Sequence, residues 1–377
     1  MSAHRIFALT VLLTGCLAFG AVRHSAAQDK TDKKEGAAPS PDLQKALASA
    51  AEEVSAFLKS KNAGELAVGQ FTSPPQLQAS GGSALAKILA EQLTQSGITV
   101  KRRAELGLQG EYAEVPAAEG AVVARIKGEV RDRQGKAIHQ FTRDVTGADA
   151  IAGMFGVTVN LPPDKGQKER NRLLRQGLAG SQVILAGNQV LAGEASPYSI
   201  EVLVREEGKL ASRVPTDQKG MAFVGIERGQ QYAVRVTNKS EYDAAVTLMI
   251  DGLNMFSFSQ RQDYSYFILA AGQSTVIQGW HRTNDVSDAF EVTSYAKSAV
   301  AELLAPDAKI GTITATFAAA WPADQPPPPD ELAARLADRG TGDATGRGPA
   351  VASKFTEVQR KKGAMRASVS VRYTRPE

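Results

Sequence analysis

Residues 367–373 read ASVSVRY: Ala367, Val369, Val371 and Tyr373 fall on one side, Ser368, Ser370 and Arg372 on the other. Side chains of a β-strand point alternately to opposite faces, so this is the pattern of a one-faced strand. An isolated strand is unstable in water and needs a sheet to join. The segment lies near the end of a 377-residue chain, beyond a stretch that reads as a break. That stretch, 322–353, holds the proline run Pro326–Pro329 and a Gly/Ala-rich part from Thr341 to Ser353, with room for a brief helix over Glu331–Arg339. Such segments are extended or flexible. Closure entropy grows only logarithmically with loop length. The reading is therefore that 354–377 returns a strand to a sheet upstream, with 322–353 as a mobile excursion on its surface.

The upstream sheet is the region 230–321. Tyr232–Asn238 reads YAVRVTN and Ala244–Ile250 follows, and Asp251-Gly252 is a hairpin signal. Leu253–Ser259 reads as an aromatic-bearing strand; Tyr266–Leu269, Ser274–Gly279, Phe290–Thr293 and Ile310–Ala318 supply more, with a helical insertion at Ala296–Leu304. Short strands separated by Gly or Asn turns argue a β-sandwich. Immunoglobulin-like topology stays open, because the chain has one cysteine and no cysteine pair.

Residues 42–165 read differently. Leu43, Leu47, Ala50, Val54 and Phe57-Leu58 recur at helical spacing, ELAVGQF (65–71) reads as a strand, and Ser80–Ser96 as a second helix stopped by Gly97. Ala121–Arg131 alternates, Asp132–Gly135 turns, and Lys136–Val145 pairs back. Helix, strand, helix, strand and hairpin predict an α/β domain with one mixed sheet. Residues 166–229 read as a connecting region with strands. The fold class is α+β: an N-terminal α/β domain, then a β-sandwich.

The N-terminus reads as an export signal, residues 1–27: Arg5, then the uncharged IFALTVLLTGCLAFGAV. Two cleavage routes are open. Leu13-Thr14-Gly15-Cys16 has the form of a lipobox and would put a lipid anchor on Cys16. Ser25-Ala26-Ala27 has the small residues of an ordinary cleavage site. Removing 1–27 takes away Arg5 and Arg23, so the net charge falls from +4 to +2. Residues 28–41 read as a polar linker.

Lys and Arg (44) nearly balance Asp and Glu (40), which argues against a polyanionic partner and against nucleic acid. The basic clusters Lys101–Arg103 and Arg360–Lys362 lack aromatic platforms. A cysteine confined to the signal excludes cysteine catalysis and thiolate metal sites in the mature chain. No Gly-x-Ser-x-Gly elbow, Walker loop or His-Glu-x-x-His stands in the sequence. His281 with Asp285 or Asp288 is the one candidate acid–base pair, weighed against a polar surface turn. Asp243, Asp251 and Asp263 fit no calcium loop, and Asn238-Lys239-Ser240 reads as a turn. The reading names no catalytic, metal or cofactor site. A cluster of aromatics over 256–280 reads mainly as core, with Tyr264, Tyr266 and Trp280 as the candidate binding surface.

The signal with LTGC, then ELAVGQFTSPP, SALAKILAEQLTQSG and ITVKRR, resembles the α/β domain of curli-secretion and penicillin-binding-protein-activator lipoproteins of Gram-negative envelopes. The resemblance covers about 65–160, is one of layout, and departs from the family pattern after Arg103. It implies a periplasmic, outer-membrane or extracellular protein. The expectation is a non-enzymatic envelope protein that binds another protein or a surface polymer. The alternatives are a hydrolase assembled from distant loops and a secretion or pore component.

Overall fold

The computed structural model describes residues 41–261, 263–293, 310–331, 350–352, 354–356 and 358–374. The expected export signal, Cys16, the linker up to residue 40, the helix expected at Ala296–Leu304 and nearly all of that at Glu331–Arg339 lie outside them.

The N-terminal part is a five-stranded mixed sheet with helices on it. Its strands are β1 (Glu65–Thr72), β2 (Thr99–Lys101), β3 (Gly107–Pro116), β4 (Val122–Arg131) and β5 (Ala137–Val145), in the order β2-β1-β3-β4-β5. β1 runs parallel to β2 and β3, and the rest is antiparallel. The helices α1 (Pro41–Ser60) and α2 (Gly82–Gln95) lay Leu47, Val54, Leu58, Leu85, Leu89 and Leu93 on Leu66, Val68, Leu108 and Ile126. Burying each such side chain contributes about 2 kcal/mol. The opposite face carries the charged half of the alternation, with cross-strand pairs Arg125–Asp144 (2.7 Å) and Lys127–Glu111 (3.3 Å). The β4–β5 turn closes because Asp132 Oδ1 accepts from the amides of Gln134 and Lys136 while Gly135 takes a positive φ.

Two larger sheets follow. One joins β7 (Ile184–Ala186), β8 (Gln189–Leu191), β9 (Tyr198–Glu206), β10 (Lys209–Ser212), β13 (Gln231–Asn238), β17 (Ser274–Ile277), β18 (Gly279–Thr283), β19 (Val286–Glu291) and β21 (Ala350–Ala352). The other joins β6 (Val159–Asn160), β11 (Thr216–Gln218), β12 (Met221–Gly225), β14 (Ala244–Ile250), β15 (Leu253–Asn254), β16 (Phe267–Leu269), β20 (Ile310–Pro322) and β22 (Arg360–Thr374). Their inner faces meet through Ile200, Val202, Val234, Val246, Leu248, Ile313, Phe317, Val369 and Val371, the core of a sandwich.

The strand Arg360–Thr374 lies inside its sheet. It pairs antiparallel with β20, with Val371 opposite Ile313, and on its other side with β12 and β6. Its polar side is buried as well: Ser368, Ser370 and Arg372 face β6, Thr158 and the helix α3 (Ala148–Phe155) of the first domain. β-structure begins at Ile184, so the segment read as a connection divides. Its helix α4 (Gln167–Ala179) packs Leu174 and Leu178 into the first core, while β8, β9 and β12 build the second. The polar stretch 206–220 holds the turns and outer arms, β10 and β11, of two edge hairpins.

Two details depart from expectation. The strand expected over Leu253–Ser259 ends at Asn254. There Asn254 Oδ1 accepts from the Phe256 amide and Nδ2 donates to Ser265 O, so the chain turns before a strand can continue. The excursion is anchored at both described ends. Glu331, 0% exposed, accepts from the Ala364 amide and sits beside Arg366, and Ala350–Ala352 pairs with β19.

Candidate functional site

A groove of about 830 Å³ opens on one side of the sandwich. The chain reaches it by crossing from sheet to sheet: among the described residues β16 is paired only to β14, Ala271-Gly272 turns, and β17 is paired only to β13. Ala352, Lys354, Phe355, Thr356, Val358 and Arg360 also line it, and the Phe355 amide donates to Asn284 O.

Tyr264 and Tyr266 both line this groove and are half-buried. Tyr264 meets Phe256 edge-on at 5.6 Å, with the Arg261 guanidinium over its ring at 4.7 Å. Its Oη is buried with no hydrogen-bond partner among the described residues. The Lys362 ammonium lies 5.8 Å from the centre of the Tyr266 ring. A tyrosine in this setting offers an apolar face with a polar tip, the side chain that dominates many binding surfaces.

Trp280 does not share the groove. It is 2% exposed and stands edge-on to Phe290 at 4.3 Å in the sandwich core. The reason is strand phase: Trp280 is opposite Asp288 in the β18–β19 pair, and its side chain points between the sheets.

His281 is fully buried in an aromatic box of Phe256, Tyr264 and Phe355. Its Nδ1 lies 3.0 Å from Ser259 Oγ and its Nε2 3.2 Å from Asn284 Oδ1. Burial pulls its pKa below the ordinary value, and the Asn284 contact opposes that only in part. Its ring partners are thus Ser259 and Asn284, while Asp288 pairs with Arg282. This constellation holds an aromatic ring in place.

The other candidate groups are drawn into separate structural roles. Asp243 pairs with Arg360 at 3.1 Å and Asp263 with Arg261 at 3.0 Å. Asp251 accepts from Ser80 Oγ, the Thr312 amide and Tyr373 Oη. Asn238 is buried, with Nδ2 donating to the carbonyls of Tyr242, Leu269 and Ala270. Of the basic clusters, Lys101 pairs with Glu65 and Lys362 with Asp149. His139 stacks on Phe57 at 4.5 Å beside Glu53.

Sequence reasoning singled out Tyr264 and Tyr266 among polar neighbours but missed the other residues that line the groove with them. Phe355 and Val358 were hidden in a stretch without periodicity. Their signal was two apolar residues in an otherwise polar run ending at Arg360. Among the described residues no cluster of His, Cys, Asp and Glu could hold a metal ion, and no helix is long and apolar enough to cross a membrane. Comparison with protein-family models and with curated proteins finds no match for the chain.

Proposed function

We propose that the chain is an exported, non-enzymatic envelope protein whose sandwich binds another protein or a surface polymer in the groove beside Tyr264 and Tyr266. One observation carries this reading. Two half-buried tyrosines, Tyr264 and Tyr266, border a groove of about 830 Å³ at an open side of the sandwich. A groove of this size with a mainly apolar lining and a few convergent polar groups is the usual form of a binding site.

The wider setting belongs to the same proposal. The apolar N-terminal stretch sends the chain across the inner membrane, and either Ala27 ends the signal or Cys16 carries a lipid. The α/β layout is that of the curli-secretion and penicillin-binding-protein-activator lipoproteins, and the sandwich is of immunoglobulin-like kind.

The test is photo-crosslinking in intact envelopes. A benzophenone side chain replaces Tyr266 in one variant and Lys127, on the charged face of the first sheet, in another. A discrete adduct from position 266 and none from 127 is the expected result. Equal, diffuse labelling from both positions defeats the reading.

A further inference from the structure

The groove walls are runs of consecutive residues, 263–270 on one side and 275–278 on the next. Side chains of a strand alternate between faces, so a wall made of consecutive residues is a strand edge, where the backbone itself is presented.

Hydrogen-bond phase fixes which backbone groups face the groove. In an antiparallel pair, both polar groups of a residue point to the same side, and successive residues alternate. The Ala320 amide donates to Asp243 O, and the Asp251 amide to Thr312 O, so the odd-numbered residues of β14 point at β20. The Met255 amide donates to Leu248 O on the opposite side, in agreement. Ala244 and Val246 therefore bond Leu269 and Phe267, and Ile268, opposite Ala245, turns its N–H and C=O away from its sheet. The same logic holds for β17. The Asn238 amide donates to Gln273 O, so Val236 bonds Thr275 and Val234 bonds Ile277. Val276 is left with its N–H and C=O directed outward. Ile268 and Val276 both line the groove, one from each sheet.

Charge narrows the occupant. Both lining carboxylates are neutralised, Asp243 by Arg360 and Asp263 by Arg261. The rim is apolar at Val358, 48% exposed, one of the two large hydrophobic residues exposed among those described. An uncharged segment with alternating apolar side chains matches both features, its backbone meeting the edges and its side chains meeting Tyr264, Tyr266 and Val358, while the exposed Lys354 of the lining keeps its ammonium in solvent.

We infer that the groove is a strand-addition site: it takes an extended, uncharged segment of a partner polypeptide, which bonds the backbone of Ile268 or Val276 and prolongs that sheet. The inference rests on the groove reading proposed above and gives it a mode of recognition.

The experiment uses the full chain with a synthetic alternating threonine–valine decapeptide as probe. Residue-resolved amide exchange of Ile268 and Val276 is read with and without peptide. Protection of either amide by about tenfold or more is expected. The same peptide N-methylated at every residue, which lacks the donors of both edges, should give none. Ile268→Pro removes one outward N–H at an edge position that tolerates proline; as proline has no amide to exchange, its effect is read by titration calorimetry, as about tenfold weaker binding of the peptide if the β16 edge is the one used. No protection with the decapeptide, or equal protection with the N-methylated form, overturns strand addition. Protection by maltoheptaose in place of the peptide overturns it too, in favour of a glycan site. In each case a specific adduct at position 266 would leave the groove reading standing. Should Ile268→Pro fail to fold, the N-methylated peptide still decides.

Discussion

Arg372 is buried at the junction of the two domains and donates from Nη2 to the carbonyl of Leu77, 2.6 Å away and 295 residues earlier in the chain. The same nitrogen lies 3.4 Å from Phe155 O, at the end of α3. One side chain of the last strand thus satisfies two carbonyls of the first domain. Removing it leaves both without a donor inside a packed junction and opens a cavity. Arg372→Ala should lower stability by about 3 kcal/mol. Urea unfolding followed separately by fluorescence of the two tryptophans, Trp280 and Trp321, both in the sandwich, and by far-ultraviolet circular dichroism of the helices checks it. The wild-type transitions should coincide and those of the variant separate. A change below about 1 kcal/mol would show that the guanidinium is not a tie.

Tyr112 and Arg372 titrate against each other in alkali. Burial pulls Arg372 down to about 10 and pushes the Tyr112 phenol above its ordinary value. Above pH 10 the unfolded phenol ionises while the folded one keeps its proton, so Tyr112 costs stability as pH rises. Arg372 acts oppositely, because there the unfolded chain holds the extra proton. Tyr112→Phe loses the hydrogen bond from Oη to Met154 O, 3.1 Å, at a cost of about 1 kcal/mol at neutral pH. The deficit should shrink as pH rises from about 9 to about 11. Urea midpoints across that range test this, and a constant deficit would contradict it.

His281 sets an acid limit. Its pKa lies below the ordinary 6.5 because burial opposes the charged ring. The stability linked to it is therefore present above 6.5 and lost as pH falls toward the folded value, where the unfolded imidazole takes up a proton that the folded one refuses. The groups facing the ring are Ser259, Asn284, Phe256, Tyr264 and Phe355, and none of them supplies a carboxylate. His281→Gln should be less stable than wild type at neutral pH and flatter between about pH 7 and about pH 5. Parallel pH profiles for the two proteins would count against the assignment.

What was legible in the sequence followed periodicity. The stripe Leu47–Ala50–Val54–Leu58 and the alternations at 122–131 and 367–373 announced their elements because one face of each meets a core. The Asp251-Gly252 signal gave the hairpin, and both residues do take positive φ, as a two-residue turn requires. Two things stayed hidden. Ser368, Ser370 and Arg372 look like a solvent face, yet all three are buried, Ser370 and Arg372 bonding Thr158, Phe155 and Leu77, and polarity alone does not reveal a buried layer. The groove was half legible. Tyr264 and Tyr266 stood out by composition, whereas the outward phase of Ile268 and Val276 exists only once register is set.

Truncation after Trp321 separates an edge strand from an interior one. An edge strand can be lost with its sheet otherwise intact. Arg360–Thr374, however, pairs with Ile310–Pro322 on one side and with Met221–Gly225 and Val159–Asn160 on the other. Its removal splits that sheet and takes Val369, Val371 and Tyr373 from the sandwich core, along with Arg372 and Ser370 from the domain junction. Losing several fully buried side chains at about 2 kcal/mol each exceeds the whole stability of an ordinary domain once the polar ties are counted. The truncated chain should therefore lose cooperative unfolding and bind a hydrophobic dye, which calorimetry and dye fluorescence will read. A synthetic peptide of residues 358–377 added in trans should restore a cooperative transition, because the strands it pairs with, up to Trp321, and the junction partners of Arg372 and Ser370 are still in the chain, although its contacts to Asp330 and Glu331 are lost. A truncated protein that melts cooperatively without the peptide would show that the last strand is dispensable.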